Sequence, residues 1–334
     1  MTLAILGGGS WGTALAVVLA PRFASIRLWV FEEDLAARMT ASRENDIYLP
    51  ATRLPDNVHV VADLSAVMDG ARILLCVVPS KHARGLYERI VPQLDPSVIF
   101  VSATKGFENG GVENGTPLRM SQVLSEVAQH QTRIAVLSGP TFAREVAQGE
   151  PAALVIASSD AEVASTVQAA FSGPTFRLYT NSDVIGVEVG GALKNVIAIA
   201  AGVVQGLGLG NNTQAALITR GLAEITRLAV AMGAQPMTLA GLAGLGDLVL
   251  TCSGELSRNR RVGIELARGK TLAEITASTP MIAEGVETCR AAVALGARYG
   301  VDLPIIERMA AVLHHGESPR QAVRDLMERS LKGE

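Results

Sequence analysis

Up to about residue 180, short runs of apolar, β-branched residues alternate with stretches whose apolar positions recur at helical spacing. These runs are TLAILG, SIRLWVF, VHVVAD, RILLCVVP, SVIFVSATKG, RIAVLSGP, AALVIAS and FRLYT. Their nearly continuous apolar character predicts strands buried on both faces, as in a mostly parallel sheet covered by helices. From Asp183 onward, Ala-rich segments of helical period such as TQAALITRGLAEITRLAVAMG replace the strands. The pattern predicts an α/β domain over 1–182 and an all-helical domain over 183–334.

Composition narrows the class of partner. A chain of 334 residues favours about two domains, and its formal charge of −3, without a long basic run, argues against nucleic acid. The cysteines Cys76, Cys252 and Cys289 are far apart and form no metal-ligand pattern. We therefore expect a reduced, cytoplasmic protein that binds a small molecule and no metal.

Two uncharged stretches could be mistaken for membrane or signal segments. Residues 1–21 lack a positive flank, and three consecutive glycines interrupt them. The later run from Val196 to Gly210 is interrupted by a glutamine and by glycines. The expectation is a soluble protein without membrane insertion.

A glycine-rich turn follows the first predicted strand. Gly7, Gly9 and Gly12 form a G-x-G-x-x-G pattern at the start of a predicted helix, and Glu32 lies at the end of the second strand. Such glycines let the backbone approach a pyrophosphate at the positive end of the helix, and the acidic residue suits a ribose diol. Strand, helix and acidic residue together favour a dinucleotide site over a glycine turn without a ligand.

Further polar residues follow later strands, where an open parallel sheet forms its ligand crevice. Lys105 follows the fifth strand, and Ser138, Gly139 and Thr141 follow the sixth. A single lysine in such a place is more often a solvated loop residue. The position of Lys105 on the nucleotide-binding edge favours a ligand contact.

The helical half contains an isolated lysine. Lys194 has no carboxylate three or four positions away in GGALKNVIAIAAG, so it needs a water-filled cleft or a distant partner, for which Asp247 is the candidate. A core lysine whose ammonium reaches the surface is the alternative. A basic segment, SRNRR, spans Ser257 to Arg261. Residues Arg258 to Arg261 either bind a phosphate group or begin a basic helix on the surface.

Six motifs in order make the chain resemble the bacterial NAD(P)-dependent glycerol-3-phosphate dehydrogenase family over almost its whole length. They are GGGSWGTALA, SATKGFE, SGPTFAREVA, GGALKNVIAIAAG, GLGDLVLTCSGELSRNRRVG and IAEGVET. The resemblance implies a Rossmann-like N-terminal domain and a helical substrate domain. It also implies reversible reduction of dihydroxyacetone phosphate to sn-glycerol 3-phosphate, with NAD or NADP, for phospholipid synthesis.

The resemblance also implies roles for individual residues. Lys194 would transfer the proton to and from the substrate oxygen. The other substrate-binding residues would be Lys105, Gly139, Thr141, Asp247, Ser257, Arg258 and Asn259. Besides the glycine turn and Glu32, the dinucleotide would contact Ser10, Trp11, Lys105, Ala143, Arg258, Ile282 and Glu284.

The end of the second strand departs from the family pattern. NADPH-using members commonly have an arginine there, whereas this chain has Phe31 followed by Glu32. Phe31 cannot pair with a 2′-phosphate, and Glu32 would repel one while accepting hydrogen bonds from a ribose diol. We expect NADH to be used at least as well as NADPH, with Arg43 as the alternative partner of a 2′-phosphate.

Two other functions are compatible with the same two-domain architecture. A related 3-hydroxyacid dehydrogenase would not need the SRNRR segment, and a non-catalytic dinucleotide sensor would not need Lys194. The expected partners are a small phosphate substrate and a second copy of the chain in a homodimer.

Overall fold

The structure is a computed structural model, and it describes residues 1–110, 115–128, 133–278 and 283–330. The strands are β1 Thr2–Leu6, β2 Ser25–Trp29, β3 Glu44–Asn45, β4 Leu49–Arg53, β5 Val58–Val61, β6 Ala71–Cys76, β7 Ile99–Ser102, β8 Phe107–Glu108, β9 Leu118–Arg119, β10 Arg133–Ser138, β11 Ala152–Ala157 and β12 Phe176–Asn181.

The helices are α1 Ser10–Leu19, α2 Glu33–Ser42, α3 Leu64–Met68, α4 Ala83–Ile90, α5 Met120–Ala128, α6 Ala143–Ala147, α7 Ala161–Phe171, α8 Val184–Gly206, α9 Asn211–Ala231, α10 Pro236–Leu239, α11 Asp247–Ser253, α12 Arg258–Ala267, α13 Leu272–Ala277, α14 Glu284–Tyr299, α15 Pro304–His314 and α16 Pro319–Met327. A π-helical turn, Leu242–Gly246, leads into α11.

Eight strands form one sheet in the order β12-β11-β10-β7-β6-β1-β2-β5. They are the eight strands predicted from the apolar runs. Neighbouring strands are parallel except at β10 and β11, which pair antiparallel. The prediction of a mostly parallel, Rossmann-like sheet is therefore confirmed. The two-stranded ribbons β3–β4 and β8–β9 were not predicted. Three of their four strands, β3, β8 and β9, have two residues each, and so short a strand carries no periodic signal.

The sheet has a hydrophobic core on each face. In β1, Leu3 and Ile5 belong to one core, and Ala4 and Leu6 belong to the other. Side chains alternate across a strand, so a strand that is apolar at every position must be covered on both sides. The helices of the N-terminal half provide that cover, which leaves the strand ends open for ligands.

Helix α8 is the centre of the C-terminal half, and among the described residues this half contains helices and no strands. It is long and apolar enough to cross a membrane, but nearly all of it is buried inside the protein. Gly202 on α8 meets Gly263 on α12, and a Cβ added to either would lie 1.9 Å from a backbone oxygen of the other helix. This contact sets α12 directly against α8.

Candidate active site

The glycine turn lies between β1 and α1. Gly7 has φ +122°, a region that side chains rarely adopt, and a Cβ on Gly12 would lie 1.9 Å from the Gly7 carbonyl oxygen. A Cβ on Gly9 would meet nothing within 4 Å, so that backbone faces open space. The first turn of α1 has neither a side-chain cap nor an acidic residue. The turn therefore fits the pyrophosphate of a dinucleotide.

Three other predicted dinucleotide contacts belong to the same end of the sheet. Ser10 and Trp11 begin α1, and Ala143 begins α6, which packs against α1. The indole Nε1 of Trp11 is buried without a hydrogen-bond partner among the described residues. An unsatisfied buried donor beside the glycine turn is consistent with a ligand there. Ile282, also predicted to contact the dinucleotide, lies outside the described residues.

Past β2, Phe31 is 72% exposed, and the exposed Glu32 accepts a hydrogen bond from the Tyr48 hydroxyl at 2.9 Å. The Arg43 guanidinium donates to the carbonyls of Leu54 and Pro55. The backbone thus holds one end of the Arg43 guanidinium, Nη2, which argues against the alternative in which Arg43 would take a 2′-phosphate.

Two lysines share one carboxylate at the centre of the site. Lys194 Nζ lies 2.5 Å from Asp247 Oδ1, and Lys105 Nζ lies 2.7 Å from Asp247 Oδ2. Asp247 is 0% exposed and Lys194 is 6% exposed. The predicted pairing of Lys194 with Asp247 is present, so the charge of Lys194 is met by Asp247 as well as by any substrate or water. Two ammonium groups around one carboxylate leave a net positive charge, which suits an anionic ligand.

The two lysines differ in their free hydrogen-bond donors. Lys105 Nζ also donates to Gly139 O at 2.9 Å and contacts Thr141 Oγ1 at 3.4 Å, so its three N–H groups are all engaged. Lys194 Nζ donates to Thr251 Oγ1 at 2.8 Å in addition to Asp247, which leaves one N–H without a partner among the described residues. Of this pair, only Lys194 keeps a donor that no described residue occupies, and this donor is available to a substrate.

Burial decides the pKa of Lys194. Desolvation and, to a smaller extent, the nearby positive charge of Lys105 lower its pKa, the attraction of Asp247 opposes them, and the net result is a pKa of about 8. The sequence left open which of these effects is larger. A lysine with a pKa of about 8 can both give and take a proton near neutral pH.

Helix α12 brings three predicted residues to the cleft. Ser257 caps the helix by accepting from the Arg260 N–H at 3.2 Å. Asn259 donates to Asn195 Oδ1 at 2.9 Å and accepts from the Gly285 N–H at 3.1 Å. Both side chains thus have structural partners in addition to any substrate.

Arg258 is the first residue of that helix. It is exposed, and its guanidinium has no hydrogen bond or ion pair within the described part of the chain. The surrounding protein lowers the pKa of Arg258, and Glu284 opposes this effect. An arginine remains charged after such a shift, so it can grip a phosphate.

Glu284 begins α14 and reaches the N-terminal half. Its Oε1 accepts from the Ser80 N–H at 3.3 Å, just after β6. Burial raises its pKa to about 7, and the charges of Arg258, Lys105 and Lys194 oppose that rise. Glu284 therefore lies near all three cations of the cleft.

Several residues of this network were not predicted. Thr251 is four positions after Asp247, a spacing that puts both on one helix face, and Asn195 donates to the Lys105 carbonyl oxygen at 3.3 Å. That helical spacing could have revealed Thr251. No sequence signal marks the backbone N–H of Ser80. Within the described ranges, no group of three or more His, Cys, Asp or Glu side chains could hold a metal ion.

Two family models match the chain. The NAD-dependent glycerol-3-phosphate dehydrogenase N-terminus matches residues 2–164, and the NAD-dependent glycerol-3-phosphate dehydrogenase C-terminus matches residues 183–324. The chain belongs to the NAD-dependent glycerol-3-phosphate dehydrogenase family. The predicted resemblance is confirmed.

Relatives in this dehydrogenase family are similar over the whole chain. The glycerol-3-phosphate dehydrogenase (NAD(P)+) of Koribacter versatilis is 53% identical and covers 98% of this chain and 97% of its own length. That of Syntrophotalea carbinolica is 50% identical, with coverage of 100% and 99%. The solved glycerol-3-phosphate dehydrogenase of Coxiella burnetii is 39% identical and superposes with a TM-score of 0.93 over 98% of this chain and 99% of its own. The N-terminal Rossmann-like domain and helical C-terminal domain are those of this family.

Proposed function

We propose that the chain is a glycerol-3-phosphate dehydrogenase that interconverts dihydroxyacetone phosphate and sn-glycerol 3-phosphate with NAD(H) or NADP(H). The observation that carries this proposal is the Lys194–Asp247–Lys105 cluster, in which, among the described residues, only Lys194 keeps an N–H without a partner. Family membership and the glycine turn support the same reaction.

In the reductive direction, Lys194 gives the proton. A nicotinamide cofactor would supply a hydride to the substrate carbonyl carbon, and negative charge would then develop on the carbonyl oxygen. The unpaired N–H of Lys194 donates to that oxygen, and the proton follows to give the alcohol. In the oxidative direction, neutral Lys194 takes the proton from the hydroxyl.

Asp247 and Lys105 fix the position of that proton-transfer group. Asp247 holds Lys194 Nζ from one side and Thr251 holds it from another, so the remaining N–H has a defined direction. Lys105 is held by Gly139 and by Asp247, and it contributes positive charge next to the oxygen. Such fixed charges need little rearrangement during the reaction.

The substrate phosphate is assigned to Arg258, with Asn259 beside it. Arg258 is exposed and its guanidinium is unengaged within the described residues, whereas Arg260 donates to the Gly254 carbonyl at 3.3 Å. A planar guanidinium offers two parallel N–H groups to a phosphate. Arg258 is therefore a better candidate than Arg260 for binding the substrate phosphate.

The dinucleotide is assigned to the glycine turn and to the residues around it. Gly7, Gly9 and Gly12 would hold the pyrophosphate, and Glu32 would accept hydrogen bonds from the adenosine ribose. Ser10, Trp11, Ala143, Glu284, Lys105 and Arg258 complete the proposed contacts. With Phe31 in place of an arginine, we propose that NADH is used at least as well as NADPH.

The wider biology follows from this assignment. We propose that the enzyme supplies glycerol 3-phosphate for phospholipid synthesis, in the cytoplasm, as a homodimer and without membrane insertion. We also propose residues 1–182 as the dinucleotide-binding domain and 183–334 as the substrate domain. The last strand ends at Asn181 and the long helix begins at Val184, which supports that division.

The test is a spectrophotometric assay of dihydroxyacetone phosphate reduction with NADH and NADPH side by side. We expect oxidation of at least one cofactor that depends on the substrate phosphate. Equal turnover of a 3-hydroxyacid would support a hydroxyacid dehydrogenase, and cofactor binding without turnover would support a sensor. Either result would overturn the proposal.

A further inference from the structure

We propose that Tyr48 is a specificity-determining residue for the dinucleotide. Its phenol holds the Glu32 carboxylate where the hydroxyls of the adenosine ribose are recognised, so that NADH binds more tightly than NADPH. The inference rests on the proposed NAD(P)-dependent function and adds a residue outside the glycine turn and the substrate cleft.

The contact itself is a hydrogen bond from Tyr48 to an exposed carboxylate. Tyr48 Oη donates to Glu32 Oε1 at 2.9 Å, and Oε2 keeps no partner within the described part of the chain. Burial and the Glu32 charge both raise the pKa of Tyr48, so its hydroxyl remains a donor at neutral pH. The bond fixes one carboxylate oxygen and leaves the other for a ligand.

Tyr48 is in turn tied to the glycine turn. Its ring packs against the hydrophobic core of the N-terminal half, and its N–H donates to Asn45 Oδ1 at 3.0 Å. Asn45 is completely buried, and its amide donates to the Gly8 carbonyl and to Thr13 Oγ1, both at 2.8 Å. The carboxylate of Glu32 is thereby held at a fixed place relative to the turn that receives the pyrophosphate.

The chemistry of this arrangement separates the two cofactors. A carboxylate accepts a hydrogen bond from the ribose 2′-hydroxyl of NADH, whereas the 2′-phosphate of NADPH lacks that donor and is negatively charged. Two arginines of the same segment are engaged elsewhere: Arg38 pairs with Asp46 at 3.1 Å, and Arg43 donates to backbone carbonyls. A fixed Glu32 therefore discriminates more strongly than a mobile one.

The experiment measures equilibrium dissociation constants of NADH and NADPH, without substrate, from nicotinamide fluorescence. The variants are Tyr48→Phe, Glu32→Gln and the double variant, and Tyr179→Phe on the distant edge strand β12 is the matched control. We expect Tyr48→Phe to reduce the NADPH-to-NADH ratio of dissociation constants by about tenfold, the scale of one hydrogen bond to a charged group. Glu32→Gln should reduce it at least as much, and Tyr179→Phe should leave it unchanged.

The double variant distinguishes positioning from a general structural effect. If Tyr48 acts through Glu32, adding Tyr48→Phe to Glu32→Gln changes the ratio no further. An unchanged ratio in Tyr48→Phe, a further fall in the double variant, or a wild-type preference for NADPH would overturn the inference. Because the ratio compares two ligands on one sample, a loss of folded protein cancels. Absence of dihydroxyacetone phosphate turnover would contradict the proposed reaction while leaving these ratios measurable.

Discussion

Replacement of Lys194 tests the reaction most directly. Methionine has a similar length and no charge, so Lys194→Met keeps most of the packing of α8 and removes the proton-transfer group. Arginine keeps the charge but cannot release a proton near neutral pH. The pair of variants therefore separates the charge of Lys194 from its proton.

The expected magnitude follows from the state of the lysine. With a pKa of about 8, roughly nine molecules in ten are protonated at pH 7, and the neutral tenth is still available for oxidation. General acid–base catalysis contributes about 10²- to 10⁴-fold. We expect Lys194→Met and Lys194→Ala to lower kcat by at least about a hundredfold, and Lys194→Arg to restore little of it.

The pH dependence has a definite sign. Reduction needs the ammonium form, so its kcat should fall as pH rises through about 8, the pKa of Lys194. Oxidation needs the neutral amine, so its kcat should fall as pH drops through the same range. The residual activity of Lys194→Met should show neither of these two pH dependences of kcat.

The assay records kcat in both directions from pH 6 to 9.5, with NADH affinity and thermal unfolding measured on each variant. Lys270→Met is the matched control, since Lys270 is exposed and pairs with Glu265 on the surface. Near-wild-type turnover in Lys194→Met, with any loss confined to stability, would refute the reasoning. An identical pH dependence of kcat in the wild type and in Lys194→Met would also refute it.

Three further predictions concern phosphate, cofactor and packing. Arg258→Ala should raise the KM for dihydroxyacetone phosphate at least about tenfold, since a charge-assisted hydrogen bond contributes about 1.5–3 kcal/mol; steady-state kinetics check this, and an unchanged KM and kcat would contradict it. Phe31→Arg with Glu32→Ser should move kcat/KM toward NADPH, and an unmoved preference would mean that another basic residue holds the 2′-phosphate. Gly263→Ala places a Cβ 1.9 Å from a carbonyl oxygen of α8, so it should lower stability by about 1–3 kcal/mol in denaturant unfolding. Gly173→Ala, in open space, should cost far less, and equal losses would argue against the close helix contact.

The pattern of residues along the chain was enough to predict the kind of fold and to propose the chemistry of the site. Eight apolar runs specified the eight strands of the main sheet because burial on both faces requires continuous apolar residues. The G-x-G-x-x-G turn and the isolated charge of Lys194 indicated the two candidate functional regions, since only glycine allows so close a backbone approach and a buried ammonium requires a partner.

Tertiary structure decided what sequence spacing could not. Lys194, Asp247 and Lys105 are separated by more than fifty positions from one another, and only the packing of α8, α11 and the end of β7 brings them together. The pKa of Lys194 depends on the balance between its burial and its attraction to the Asp247 carboxylate. Both effects depend on distances in the folded protein. The hydrogen bond from Tyr48 to Glu32 and the antiparallel pairing of β11 with β10 also depend on the tertiary fold. Local sequence propensity does not encode pairing between separate parts of the chain.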